Sequence, residues 1–318
     1  MNTKPIRIGI SSCLLGDEVR FDGGHKRDPV LTDTLGPLVE WVRVCPEVEV
    51  GMGVPRETLR LVKVGADTRM MTTRTGVDHT DSMRAYAARR TRELDALDLR
   101  GYVLKKDSPS CGMERVKVFR TGSDAPVRTG VGIYAAVLKQ RFPTLPIEEE
   151  GRLQDPVLRE NFIERVFAYD RLRTLFDGRW TLKDLNAFHS AHKMTLLAHS
   201  TANYNRLGQL VATASSMPRD NLRSEYESLF MATLRIVATA KRHTNALMHM
   251  AGHLKKLLDP VSKAELVATI DEYRRGLVPL VVPLTLLRHY VRIHAIAYLS
   301  GQTYLEPHPR ELMLRNRV

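Results

Sequence analysis

Cysteine is scarce in this chain of 318 residues: three, at positions 13, 45 and 111. An odd, sparse count excludes a disulfide-stapled scaffold and suits a reducing cytoplasm. Long apolar runs are also missing. The most apolar stretch, Leu277 to Leu287, is interrupted by two prolines and followed by Arg288 and His289, so it is too short to cross a bilayer. The start, Met1-Asn2-Thr3-Lys4-Pro5, lacks the apolar core and cleavage site of a signal peptide. No low-complexity block and no fixed repeat period is visible, which removes disordered, collagenous and repeat-array architectures. Acidic residues are in deficit, 36 against 48 Lys plus Arg. The resulting charge of +12 points to a polyanionic partner, most often nucleic acid.

The length predicts two domains. Residues 1–150 carry 24 basic and 21 acidic side chains, net +3, whereas residues 151–318 carry 24 and 15, net +9. All three cysteines lie in the first half and nine of eleven histidines in the second. The shift falls at residues 142–151, where two prolines, an acidic run and a glycine predict a linker between domains at 1–146 and 152–318.

The first half reads as α/β, Rossmann-like with a mostly parallel sheet. Strands are expected at Ile6 to Ile10, Val39 to Val44 and Gly101 to Leu104, with a helix from Ser82 to Leu97. The second half reads as all-helical. Asp155-Pro156 opens a helix to about Leu175, and Thr181 starts another to about His199. Asn221 to Leu258 reads as one long helix or two. Ser262 to Glu265 reads as a capping box for the next helix, and a last helix follows Pro283.

The placement of the cysteines says more than their number. Each ends an apolar strand candidate beside Pro, Gly or Ser, and in open parallel sheets ligands bind beyond the carboxyl ends of the strands. Three thiols at three such ends would converge. A structural zinc usually takes four protein ligands and a [4Fe–4S] cluster four cysteines. With three cysteines, one iron would stay open to substrate as a Lewis acid. Buried inert thiols, or one nucleophilic cysteine paired with a histidine, are the other readings. Glu47, two residues after Cys45, is placed to act as a general base or stands as a solvated loop glutamate. Ser108 and Ser110 flank Pro109 and either meet substrate or cap a loop. Residues 16–26 and 51–56 form polar, glycine-containing loops that lack phosphate-loop spacing.

Ser-Ser-Cys-Leu-Leu-Gly (11–16), Val-Arg-Phe-Asp-Gly-Gly-His-Lys (19–26), Cys-Pro-Glu (45–47) with Gly-Met-Gly-Val-Pro-Arg (51–56), and Ser-Pro-Ser-Cys-Gly (108–112) resemble the thiouracil desulfidase family over about residues 5–145. The second half, with residues 188–200 and 304–312, resembles a helical domain often fused to that desulfidase domain. The fused form is similar to bacterial desulfidases that convert 4-thiouridine in tRNA to uridine. The resemblance implies a [4Fe–4S] cluster on Cys13, Cys45 and Cys111, with Glu47 and Ser108 catalytic. Arg20, Asp22, Lys26 and Arg56 are the implied substrate-binding residues. The implied reaction is non-redox: the open iron binds the thiocarbonyl sulfur, Glu47 activates water and sulfide leaves.

A free thiobase needs no basic helical domain, but a tRNA does. Candidate phosphate contacts are Lys193, Lys241, Arg242, Lys255, Lys256, Arg274, Arg275, Arg288 and Arg292, each of which singly reads as part of a solvated helix face and which as a set bias the half positive. His189, His192 and His199, and His249 with His253, have helical spacing without an HExxH acid, and read as core, capping or RNA-facing residues. The expected partner is tRNA, with no membrane and no obligate protein partner. A free thiobase such as 2-thiouracil is the alternative substrate, and a non-enzymatic iron–sulfur RNA sensor the alternative class.

Overall fold

The structure, a computed structural model, describes residues 5–120 and 123–316. The chain forms two compact units, Met1–Asp155 and Pro156–Val318.

The first unit is built on a fully parallel four-stranded sheet in the order β2-β1-β5-β8. Its strands are β1 (Ile6–Ser11), β2 (Val39–Val44), β5 (Gly101–Leu104) and β8 (Ile147–Glu149). Ile8 and Ile10 of β1 and Val103 and Leu104 of β5 are fully buried, as the apolar runs require when both faces of a sheet are covered. Gly9 lies against the Tyr102 ring, where any Cβ would collide, so the strand needs glycine there. Helix α2 (Thr80–Asp95) buries Met83, Tyr86, Ala87 and Leu94, and it packs on α3 (Ile133–Arg141). The spacing of those residues is that of a single helix face.

Two features depart from expectation. A second sheet, in the order β4-β3-β6-β7, has no counterpart in the sequence reading. It pairs β3 (Leu59–Val64) antiparallel with β4 (Asp67–Thr72) and parallel with β6 (Val116–Arg120), which pairs antiparallel with β7 (Ser123–Gly130). The other departure is the expected linker at 142–151, whose acidic run instead forms β8 and the turn after it. Glu148, Glu149 and Glu150 are buried because each carboxylate has partners. Glu148 accepts from Arg152 Nε at 2.6 Å, and Glu149 from the Met113 amide at 2.6 Å. Glu150 accepts from the Lys106 amide at 2.7 Å and pairs with Lys105 at 2.5 Å.

Among the described residues of the second unit, every regular element is helical. The longer ones are α4 (Pro156–Phe176), α5 (Leu182–His199), α6 (Thr201–Ala212), α7 (Arg219–Arg235), α8 (Ala240–Leu254), α9 (Pro260–Arg274) and α10 (Val281–Ile293). The capping box at α5 pairs Thr181 with Asp184. The stretch from Asn221, read as one long helix or two, is two: α7 ends before Ile236, and α8 starts afresh on the Thr239 cap. Helix α9 is capped three residues before the expected Ser262, by Asp259, which accepts from the amides of Val261 and Ser262. Leu247, Met250, Leu254, Leu284 and Leu287 pack the core between α8 and α10.

A closed charge network crosses this unit. Arg315 Nε meets Glu160 at 3.1 Å and its Nη2 lies 3.6 Å from Glu164, which pairs with His199 Nε2 at 3.3 Å. Burial opposes the charge on Glu164, but His199 and Arg315 outweigh it and hold the carboxyl well below the usual range. His189 and His192 are core residues, bonded through Nδ1 to the Tyr226 hydroxyl and the Phe188 carbonyl. His249 and His253 lie exposed on α8.

Candidate active site

Three chain segments bring the cysteines to one cavity. Cys13 opens a tight turn directly after β1, Cys45 follows β2 as the N-cap of the short helix α1 (Pro46–Glu49), and Cys111 ends the turn after β5. All three are free thiols, and all three line a cavity of about 330 Å³ with Glu47, Arg56, Ser108 and Ser110. Strand-end placement in the parallel sheet is what makes the three distant positions neighbours.

Local structure fixes the backbone at Cys45 and Cys111. The Cys45 amide donates to Glu49 Oε1 at 2.9 Å, and Tyr86 from α2 holds the other oxygen of Glu49 at 2.6 Å. The Cys111 amide donates to Ser108 Oγ at 3.1 Å. Gly112 admits no side chain, since a Cβ would meet Val116 and lie 2.8 Å from the Ser108 carbonyl. That glycine lets the 108–112 turn close, and the carbonyls of Pro109 and Ser110 then accept from Ile133 and Ala135 at the start of α3. The Cys111 turn is thereby locked to a helix.

Burial pushes all three thiols up, Cys13 to about 11 despite Lys105 nearby, and Cys45 and Cys111 with Glu47 adding to the effect. Such thiols become thiolates only against a strong local cation, which a bound metal supplies. Among the described residues no three His, Cys, Asp or Glu side chains are gathered tightly enough for a single ion. A cluster gives each thiolate its own metal atom and so accommodates wider spacing. Soft thiolate sulfurs are also the donors that iron–sulfur clusters take. The donor set therefore fits a cluster.

Glu47 is the carboxylate beside the thiols. Arg56 donates to Glu47 Oε2 from Nε at 2.9 Å and from Nη2 at 2.6 Å, while Ser110 donates to Oε1 at 2.6 Å. Ser108 lies 3.5 Å from Oε1. The expected site residues divide on this geometry. Arg20 and Lys26 line the cavity as expected. Arg56 also lines it, but its three nitrogens donate to Glu47 and to the carbonyls of Gly53 and Val19, so it orients Glu47 and braces two loops. Asp22 does not line the cavity: it accepts from the Gly24 amide at 3.1 Å and pairs with Arg20, which shapes the loop. The Gly24 amide, helped by Arg20, holds the Asp22 carboxyl below its ordinary value. The sequence reading passed over Lys105 and Lys106, which also line the cavity, and it did not separate Ser110 from Ser108.

The fold and the site together define an α/β unit with three free thiols and a carboxylate gathered at its strand ends. The comparisons narrow that description. The chain belongs to the 2-thiouracil desulfurase family, whose profile matches residues 8–150. A second profile, a protein of unknown function (DUF1722), matches residues 193–309. The chain is 37% identical over 153 residues to protein YbgA of Escherichia coli (strain K12), itself uncharacterised, covering 48% of this chain and 90% of that one. It is 31% identical over 141 residues to YbbK of Bacillus subtilis (strain 168), also uncharacterised, covering 42% and 89%. The solved structure of a [4Fe-4S]-dependent thiouracil desulfidase, TudS, is 28% identical with a TM-score of 0.41, over 50% of this chain and 99% of that chain. Among the described residues no helix is long and apolar enough to cross a membrane.

Proposed function

We propose that the chain hydrolyses the C–S bond of a thiolated pyrimidine at the cavity of the first unit, and that its substrate is 4-thiouridine in tRNA. The observation that carries the reading is one cavity lined by three free thiols and by Glu47. Membership of the 2-thiouracil desulfurase family supports the chemistry.

Cys13, Cys45 and Cys111 would hold the cluster. A cluster with an open iron supplies a Lewis acid for the soft thiocarbonyl sulfur. The protein does the rest. Glu47 takes a proton from water as the water oxygen attacks the thiolated ring carbon. The C–S bond then breaks, sulfur leaves as hydrosulfide and the carbonyl of uracil forms, so no net electrons move. Arg56 keeps Glu47 from swinging away. Arg20, Lys26 and Lys106 make the wall cationic, suited to a substrate carrying phosphate.

The excess of positive charge in residues 151–318 supports tRNA as the substrate. A thionucleotide in folded tRNA has to be turned out to reach a cavity, at a cost of a few kcal/mol that phosphate contacts offset. A cavity of about 330 Å³ also has room for a free base, which supports 2-thiouracil as the second substrate. Anaerobic protein loaded with iron and sulfide is incubated with 4-thiouridine-containing tRNA and, separately, with 2-thiouracil. Loss of the thiocarbonyl absorption in tRNA alone supports the first substrate, and loss in the free base alone replaces it with the second. Loss in neither overturns the enzymatic reading.

A further inference from the structure

The two serines beside Glu47 form a chain whose direction follows from proton counting. A hydroxyl has one proton to give and two lone pairs to accept with. Ser108 Oγ accepts the amides of Ser110 at 3.2 Å and Cys111 at 3.1 Å, which takes both of its lone pairs. The Ser108 proton then has two acceptors near, Ser110 Oγ at 2.9 Å and Glu47 Oε1 at 3.5 Å, and the shorter contact makes Ser108 the donor and Ser110 the acceptor. Ser110 Oγ has two neighbours for its own proton, Glu47 Oε1 at 2.6 Å and Cys111 Sγ at 3.7 Å. The shorter, charge-assisted bond to the carboxylate wins. The order is Ser108 to Ser110 to Glu47.

Counting on the carboxylate completes the arrangement. An ionised carboxylate offers about four acceptor positions. Arg56 takes the two on Oε2 and Ser110 takes one on Oε1. One position on Oε1 is left for a water. We propose that Ser110 is the positioning residue of Glu47, that Oε1 is the atom that receives the water's proton, and that Ser108 acts through Ser110 and not on the substrate. Ser110 is wholly buried, so packing holds its hydroxyl in place on Glu47. The inference rests on the desulfurase reading of the site.

The test uses the full chain, loaded anaerobically. Ser110→Ala should lower kcat by roughly 10- to 100-fold with KM changed by less than about threefold, because it misplaces a base and not the substrate. Iron content and visible spectrum should match wild type. In the Ser108→Ala/Ser110→Ala double variant kcat should equal that of Ser110→Ala, since the two hydroxyls act in series. Losses that multiply, a Ser110→Ala kcat within twofold of wild type, or a Ser110→Ala protein without iron would each overturn the proposal. Wild type without desulfuration would instead overturn the functional reading. The crystal structure of Ser110→Ala then decides the positioning role alone: Glu47 displaced supports it, Glu47 unmoved contradicts it.

Discussion

The two units bury charge in opposite ways. In the first, Glu47 and Arg56 stand in the wall of a cavity with three thiols. In the second, Glu160, Glu164, His199 and Arg315 close on one another in the core. Buried charge is costly in either place, and partners must offset it. Where the partners are other charged side chains of the core, the group serves the fold. Where the carboxylate lines a cavity beside thiols, it is available for chemistry. Under the proposed function the chemistry falls to the first unit, and tRNA binding to the second, with its +9 charge.

The sharpest break of the comparison is Glu47→Gln. It keeps the shape but removes the base, so desulfuration should fall by about 10² to 10⁴-fold with iron content unchanged. Single-turnover assays on loaded protein check this. Equal activity would place the chemistry elsewhere.

The matching change in the second unit is Arg315→Met. It leaves Glu160 and Glu164 buried without their guanidinium and should cost the helical unit about 3–5 kcal/mol. Tryptophan 180 packs on Phe176 under Arg219, and Trp41 is the only other tryptophan, so urea unfolding of a Trp41→Phe background reports on the helical unit. Desulfuration of a free thiobase at low temperature should persist.

A pH effect of smaller size sharpens the same point. Burial holds His189 at about 4, with Lys193 adding to it, and His192 at about 3, from an ordinary 6.5. The unfolded chain therefore takes up protons that the folded one does not, and stability falls as pH drops from about 6.5 toward 4. The slope is up to about 1.4 kcal/mol per pH unit for each histidine. The buried charge on Glu164 adds its own loss only below about pH 4.5. Urea midpoints at pH 7 and 5 should differ in the second unit; equal midpoints would mean that these histidines are solvated.

The smallest effects concern RNA. Lys255 and Lys256 are exposed, whereas Arg274 and Arg275 are tied to Asp271 at 2.6 and 2.9 Å. Replacing the lysine pair by alanine should weaken tRNA binding more than replacing the arginine pair, each by a few-fold, with a reduced salt slope. Filter binding across salt concentrations measures both, and the opposite order would contradict the assignment.

Much of this division was legible in the sequence. The strands ending at Cys13 and Cys45 announced themselves by apolar runs and punctuation, and α2 by its period. The second sheet did not, because Leu59 to Val64 and Val116 to Arg120 alternate with charged residues on an exposed face, and the parallel pairing of β3 with β6 that joins the two hairpins is distant in sequence. The acidic run at 148–150 looked solvated because its partners Arg152, Met113 and Lys105 are found only in three dimensions. The roles of Arg56 and Asp22 were beyond sequence for the same reason: both lie in polar loops, and only geometry turns one toward Glu47 and the other away from the cavity.

The central claim is that three cysteines from three strand ends hold one cluster. Iron and acid-labile sulfide per chain, measured after anaerobic loading of wild type and of Cys13→Ser, Cys45→Ser and Cys111→Ser, test it directly. The account predicts about four irons in wild type and loss of most of them, with the visible absorption, in every single variant. Wild type without iron, or a variant that keeps the full complement, would contradict it.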